Sequence, residues 1–265
     1  MAKPAGSACN LDCAYCFYLS KRVLPGGPGS GHMPDEVLER FVKDYIDSVT
    51  SDEVVFSWQG GEPTLLGLEF FEKVVTLQKK HARAGQRIEN DLQTNGTLLD
   101  DDWARFLKQQ RFLVGLSIDG PREIHDHCRI TKHAEPTFDQ VFAAAKMLQK
   151  HGVRFNTLTC VHRYNASRPL DVYRFLRREI GSTYIQFIPI VEIKGFENMA
   201  PGTWDEAKLP MLGDPRCHPD HPESVVTPWS VAAEEYGYFL SKIWDEWQAR
   251  DVGKVLVNLC ETLVA

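Results

Sequence analysis

Three cysteines stand within eight residues near the start of the chain, Cys9-Asn-Leu-Asp-Cys13-Ala-Tyr-Cys16, in the spacing C-x3-C-x2-C. Thiolates gathered in this way hold a soft metal centre. A structural zinc site ordinarily takes four ligands, and no histidine or further cysteine stands nearby in sequence to supply the fourth. An iron–sulfur cubane held by three cysteines keeps one iron open to a substrate or cofactor, so a cluster is favoured over zinc. The other cysteines carry less. Cys160 lies in an apolar stretch and reads as a core thiol, Cys128 is incidental, and Cys260 stands alone. Cys217-His218-x2-His221 has the letters of a metal site but lacks a fourth ligand and is surrounded by prolines. His125 and His127 have no acidic or cysteine partner in register, which disfavours a metal there too.

A loop that brings three sulfurs together must be irregular, so regular elements have to hold it. Apolar runs predict strands over 53–59, 88–93, 112–118, 155–161 and 184–191, with a possible sixth at the start of the chain. Periodic segments over 33–48, 68–82, 100–110, 138–151, 169–179 and 231–250 predict helices between and after them. The strands read as apolar on both faces, as strands of a covered parallel sheet do. The expected fold is α/β, a partial (β/α)6 parallel barrel, because a closed eight-stranded barrel would need two more units. Gly60-Gly61-Glu62-Pro63, Thr94-Asn95-Gly96-Thr97 and Asp119-Gly120-Pro121 each come just after a strand. A parallel barrel puts such segments on one rim, where active sites sit. Ser117, Glu62, Gln93 and Asn95 belong to that rim, with structural roles equally open for the last three. The stretch 26–31 reads as a flexible connector, and 192–230 as an irregular insertion in a domain covering 1–230. The segment 231–265 opens with a long C-terminal helix.

Composition narrows the class. The chain has 265 residues, of which 43% are hydrophobic and 25% charged, enough to bury a full core. A net charge of −6 offers no basic footprint for nucleic acid. No apolar run is long enough to span a bilayer, and Cys9 and Asp12 interrupt any signal-peptide core. An odd number of cysteines, three of them in a metal spacing, points to a reducing cytoplasm.

The sequence resembles the radical S-adenosylmethionine (SAM) enzymes, and within them the anaerobic sulfatase-maturating group. The resemblance rests on Lys3-Pro4, the run 9–18, Phe-Ser-Trp-Gln-Gly-Gly-Glu-Pro-Thr-Leu over 56–65, and Leu-Gln-Thr-Asn-Gly-Thr-Leu over 92–98. It continues through Val-Gly-Leu-Ser-Ile-Asp-Gly-Pro over 114–121, His125 with Arg129, and Tyr-Ile-Gln-Phe-Ile-Pro over 184–189. The resemblance implies a 4Fe–4S cluster on Cys9, Cys13 and Cys16, with SAM chelated at the open iron. It implies SAM contacts at Tyr15, Gly60, Gly61, Ser117, Arg129 and Val191; Arg129 can pair with a carboxylate through its fork. Glycines at 60 and 61 would let backbone approach the methionine portion closely. The implied reaction oxidises a cysteine or serine of an unfolded sulfatase or peptide substrate to Cα-formylglycine, with an external electron donor. The family's cysteine-rich domain, with its auxiliary clusters and catalytic aspartate, would start at the end of 231–265, where this sequence stops. The resemblance therefore supplies no base here. Two other readings stay open: another peptide-modifying radical SAM enzyme that forms thioether or carbon–carbon crosslinks, and a non-catalytic iron–sulfur docking module.

Overall fold

A computed structural model describes residues 1–16, 18, 32–195, 210–211 and 213–264. The expected connector at 26–31, and residues 196–209 and 212 of the expected insertion, lie outside the described residues. Six strands, β1 (Glu53–Trp58), β2 (Arg87–Thr94), β3 (Leu113–Ser117), β4 (Arg154–Val161), β5 (Tyr184–Pro189) and β6 (Leu256–Val257), follow one another in the sheet as in the chain. β1 and β6 are its two ends among the described residues. β1 pairs with β2, β2 with β3, β4 with β5 and β5 with β6, each in parallel. The expected α/β fold with a six-stranded parallel sheet is the observed one.

The sixth strand is not at the start of the chain. Ala2 makes only an isolated parallel bridge to Trp58, and the sixth strand is a two-residue element near the other end. Helices α1 (Asp35–Ser48), α2 (Leu68–His81) and α3 (Asp101–Gln109) match the predicted spans. So do α5 (Phe138–Lys150), α6 (Pro169–Arg174) and α7 (Ala233–Arg250), after an unforeseen short helix α4 (Arg122–Cys128). α6 passes into a π-helical turn over Phe175–Glu179, and α8 (Asn258–Val264) comes after β6.

The chain divides into two compact units. The first contains residues 1–10, 28–117 and 140–155. In β1 the even positions Val54, Phe56 and Trp58 are buried, as alternation across a pleated strand requires. Phe56 and Trp58 stack at 5.9 Å, and Phe71 meets Trp58, Trp103 and Phe112 edge-on. Trp58 Nε1 donates to Asn90 Oδ1 at 2.8 Å, and the Asn90 and Gln78 amides pair with each other, so this core buries no idle polar group at their position. The opposite face of β1 and β2 is not apolar as expected. Val55 is 41% exposed, and Ser57 Oγ donates to Asp91 Oδ2 at 2.7 Å. That face of the first unit is polar and open.

The second unit contains residues 11–27, 118–139 and 156–265. α7 buries Phe239, Ile243 and Trp247 at helical spacing. Trp247 Nε1 donates to Val255 O at 2.7 Å, and Val257 lies beside Ile185 in the β5–β6 register, so α7 sets the short edge strand. Tyr173 on α6 donates to Asp251 Oδ2 at 2.8 Å, just past the end of α7. No helix among the described residues is long and apolar enough to cross a membrane.

Candidate functional site

In the first unit, the residues leading to Cys9 lie along the end of β1. Ala2 N donates to Ser57 O at 2.8 Å, Gln59 N to Ala2 O at 3.0 Å, Gly61 N to Gly6 O at 2.9 Å and Glu62 N to Ala8 O at 2.7 Å. The approach is so close that a Cβ on Gly61 would stand 1.9 Å from Ala8 O, and one on Gly60 2.8 Å from Gly6 O. Gly60 also has φ +125°, which side chains rarely adopt. The close approach at both glycines is therefore to the chain's own residues 3–8.

Glu62 is fully buried beneath this turn. Its Oε1 accepts from Thr64 N, the Thr64 hydroxyl and the Thr94 hydroxyl at 3.0, 2.7 and 2.8 Å; its Oε2 accepts from Asn95 N at 2.7 Å. Burial nevertheless outweighs these donors and raises its pKa. The carboxylate ties the end of β1 to the end of β2. Asn95 then reaches the cysteine arm, with Nδ2 2.9 Å from Asn10 Oδ1 and 3.7 Å from Cys9 Sγ.

In the second unit, the Cys13–Cys16 arm is held by the segment that leaves α4. Asp12 N donates to Ile130 O and Ala14 N to Cys128 O, both at 2.9 Å, and Leu11 forms an antiparallel bridge with Thr131. Tyr15 projects into a buried group centred on Asp119, just past β3. The Tyr15 hydroxyl donates to Asp119 Oδ2, Arg129 Nε stands 3.0 Å from the same oxygen, and Cys160 N donates to Oδ1 at 3.0 Å. His162 stacks on Tyr15 at 5.3 Å with Nε2 3.8 Å from Asp119 Oδ2, and the Arg129 guanidinium lies 5.6 Å from the Tyr15 ring centre. Burial alone would raise the Asp119 carboxyl; Arg129, His162 and His125 overcome it and hold it well below the usual range. Burial pushes Tyr15 up and the Cys128 and Cys160 thiols up to about 12, so these groups stay protonated. His125, buried and facing Arg129, is depressed to about 3. Its ring meets Thr137 Oγ1 at 3.1 Å, and Thr137 donates to Arg129 O at 2.7 Å, so it braces the arginine.

All seven cysteines are thiols without a disulfide. Among the described residues, no three His, Cys, Asp or Glu side chains converge as ligands of one metal ion do. A cubane takes one cysteine per iron rather than three ligands on one ion, and a thiol with an amide N–H directed at its sulfur, as at Cys9, suits such a ligand chemically. Cys217, His218 and His221 form no ligand set: His218 Nε2 instead faces Glu234 Oε1 at 3.3 Å.

Tyr15 and Arg129 are thus brought together, while Gly60, Gly61 and Cys9 share the other arm. Ser117 stands half-buried at the end of β3 and Val191, 63% exposed, two residues beyond β5; among the described residues neither joins a hydrogen-bonded group. Sequence reasoning missed His162 and Asn165. Asn165 Nδ2 donates to Cys160 O at 2.9 Å and its Oδ1 accepts from His162 N at 2.9 Å, fixing the turn after β4. Their signal was positional, since polar residues after a parallel strand fall on the rim that carries chemistry.

Comparison with known proteins sets this arrangement in a family. The chain is 42% identical over all 265 residues to a serine-type anaerobic sulfatase-maturating enzyme of Bacteroides thetaiotaomicron, and spans 61% of that protein's length. It is 46% identical over 203 residues, 75% of the chain and 54% of the relative, to a cysteine-type anaerobic sulfatase-maturating enzyme of Clostridium perfringens. Among solved structures, native anSMEcpe with bound AdoMet and Cp18Cys peptide matches with TM-score 0.77 at 36% identity, over 97% of this chain and 62% of that one. Streptococcus suis SuiB, at 14% identity, TM-score 0.63 and coverage of 97% and 47%, shares the fold. The family model for the radical SAM superfamily matches residues 4–176, from the cysteine arm into the π turn after α6, and the chain belongs to that superfamily.

Proposed function

We propose that this chain is the SAM-cleaving core of an anaerobic sulfatase maturase, which converts a cysteine or serine of an unfolded sulfatase segment to Cα-formylglycine. The observation that carries the reading is identity to a sulfatase-maturating enzyme along the whole of this chain. Cys9, Cys13 and Cys16 would hold a 4Fe–4S cluster as thiolates, with SAM at its open iron. When bound, these groups supply one-electron reductive cleavage of SAM to a 5′-deoxyadenosyl radical that takes a hydrogen atom from the substrate Cβ.

The chain's own residues hold and orient. Gly60 and Gly61 seat the backbone that carries Cys9. Asp119 fixes the Tyr15 hydroxyl and the Arg129 charge together. A guanidinium has five N–H donors, so Arg129 retains some for the SAM carboxylate while paired with Asp119. Gly60, Gly61, Ser117 and Val191 complete the assigned SAM contacts. No residue of this chain is assigned as the substrate base. The partners are a peptide substrate and an external electron donor. The acidic charge of −6 disfavours nucleic acid and anionic membrane surfaces, and thiols kept for a cluster suit the cytoplasm.

Anaerobic reconstitution with iron and sulfide, followed by SAM and dithionite, is expected to yield 5′-deoxyadenosine. Absence of this product from a fully loaded cluster refutes the enzyme reading. Cys-x-Pro-x-Arg and Ser-x-Pro-x-Arg peptides, assayed for aldehyde by mass, then test the maturase reading. Deoxyadenosine without aldehyde from either peptide would reassign the chain to another radical SAM reaction.

A further inference from the structure

Asn95 closes the turn after β2 with its side-chain amide held at both ends. Its Oδ1 accepts from Thr97 N at 3.0 Å and from the Thr97 hydroxyl at 2.7 Å. A backbone N–H can only donate, so the amide oxygen must face it, and the orientation is set by chemistry. The NH2 group therefore points the other way, to Asn10 Oδ1 at 2.9 Å and Cys9 Sγ at 3.7 Å. The backbone is clamped as well: Asn95 N donates to Glu62 Oε2, and Thr64 and Thr94 donate to the same carboxylate. Gly96 turns the chain at φ +79°, where a Cβ would stand 2.5 Å from Leu116 Cδ1. Asn95 is buried, and Asn10 Nδ2 is itself engaged by the Thr97 hydroxyl at 2.8 Å. The donor is thus fixed rather than adaptable.

The state of the sulfur decides what this donor does. As a thiol, Cys9 can give its proton to Asn10 Oδ1, 3.9 Å away. As a metal-bound thiolate it only accepts, and the Asn95 N–H is then the complementary group. We infer that Asn95 is a positioning residue that donates to the Cys9 thiolate and raises the reduction potential of the cluster bound there, an inference that rests on Cys9 being a cluster ligand. The reduced cluster carries one more electron, so a donor at a ligand sulfur stabilises it more than the oxidised one.

The test uses the anaerobically reconstituted 265-residue chain without SAM. The midpoint potential is read by EPR-monitored redox titration at matched iron and sulfide content. Asn95→Ala removes the donor. Asn95→Asp keeps the shape and the acceptor for Thr97 but replaces the donor with negative charge. Both midpoints are expected to move to more negative potential, Asn95→Asp further than Asn95→Ala. Loaded variants with the wild-type midpoint overturn the inference and leave the cluster reading standing. Loss of cluster binding in both variants also overturns it, because a donor to one sulfur tunes a cluster rather than deciding whether three thiolates hold it. A wild-type chain that takes up no cluster refutes the cluster reading itself, and the inference falls with it.

Discussion

Asp119 is a fully buried carboxylate that accepts hydrogen bonds from the Tyr15 hydroxyl and Cys160 N and pairs with Arg129, with His162 Nε2 3.8 Å away. Arg129, at 7% exposure, cannot regain water if that partner is lost. Removing one member of a buried ion pair costs about 3–5 kcal/mol because the other charge is stranded. Asp119→Asn is therefore expected to lower unfolding free energy by about that amount, while Tyr15→Phe, which removes one hydrogen bond, costs about 1–2 kcal/mol. Urea denaturation of the apo chain measures both. If Asp119→Asn stays within about 1 kcal/mol of wild type, Arg129 does not depend on this carboxylate. The ingredients are legible in part: Arg129 and Asp119 stand out by position and resemblance. Their pairing does not, because it joins residues 15, 119, 129, 160 and 162 through burial, which no spacing encodes.

At the scale of elements, alternating strands and helices are readable because each buries an apolar stripe of recognisable period, as Leu38, Val42 and Ile46 do on α1. The elements that escape are short or polar. β6 is two residues long and depends on Trp247, and α4, Arg-Glu-Ile-His-Asp-His-Cys, buries mainly Ile124, His125 and Cys128. The turn after β1 is legible as glycine-rich, but the object it approaches is not. Gly61→Ala tests that object. Its methyl would overlap Ala8 O, so residues 5–8 must move, and overpacking of this kind costs about 1–3 kcal/mol. Iron bound per chain after reconstitution is expected to fall while far-UV circular dichroism keeps the native helix signal. Gly67→Ala is the comparison: nothing lies within 4 Å of its Cβ, and a backbone at φ +77° and ψ 167°, a region all but confined to glycine, costs about 1–3 kcal/mol, without loss of iron. Equal iron content in both variants would separate the Gly61 contact from the seating of Cys9.

For the molecule as a whole, one contribution to stability against acid comes from a histidine kept neutral. His125 is buried and depressed from 6.5 to about 3, first by desolvation and then by Arg129. The unfolded chain takes up a proton near pH 6.5 that the folded chain refuses until about pH 3. Stability from this group is therefore fully present above pH 6.5 and declines as pH falls through that window. Asp119 acts lower down: its depressed carboxyl contributes above the ordinary 3.8 and is lost below it, and Glu62, raised by burial, is common to wild type and variant, so the difference in slope between pH 7 and 5 reads the histidine. Over that interval His125 accounts for a loss of about 2 kcal/mol. Urea midpoints at pH 7, 6 and 5 are expected to fall more steeply for wild type than for His125→Gln, which cannot titrate. The variant starts less stable, because Thr137 loses its imidazole partner, so the slope rather than the starting value carries the test. Parallel slopes would mean that His125 is protonated in the folded chain at pH 5, and that Arg129 does not enforce its neutrality.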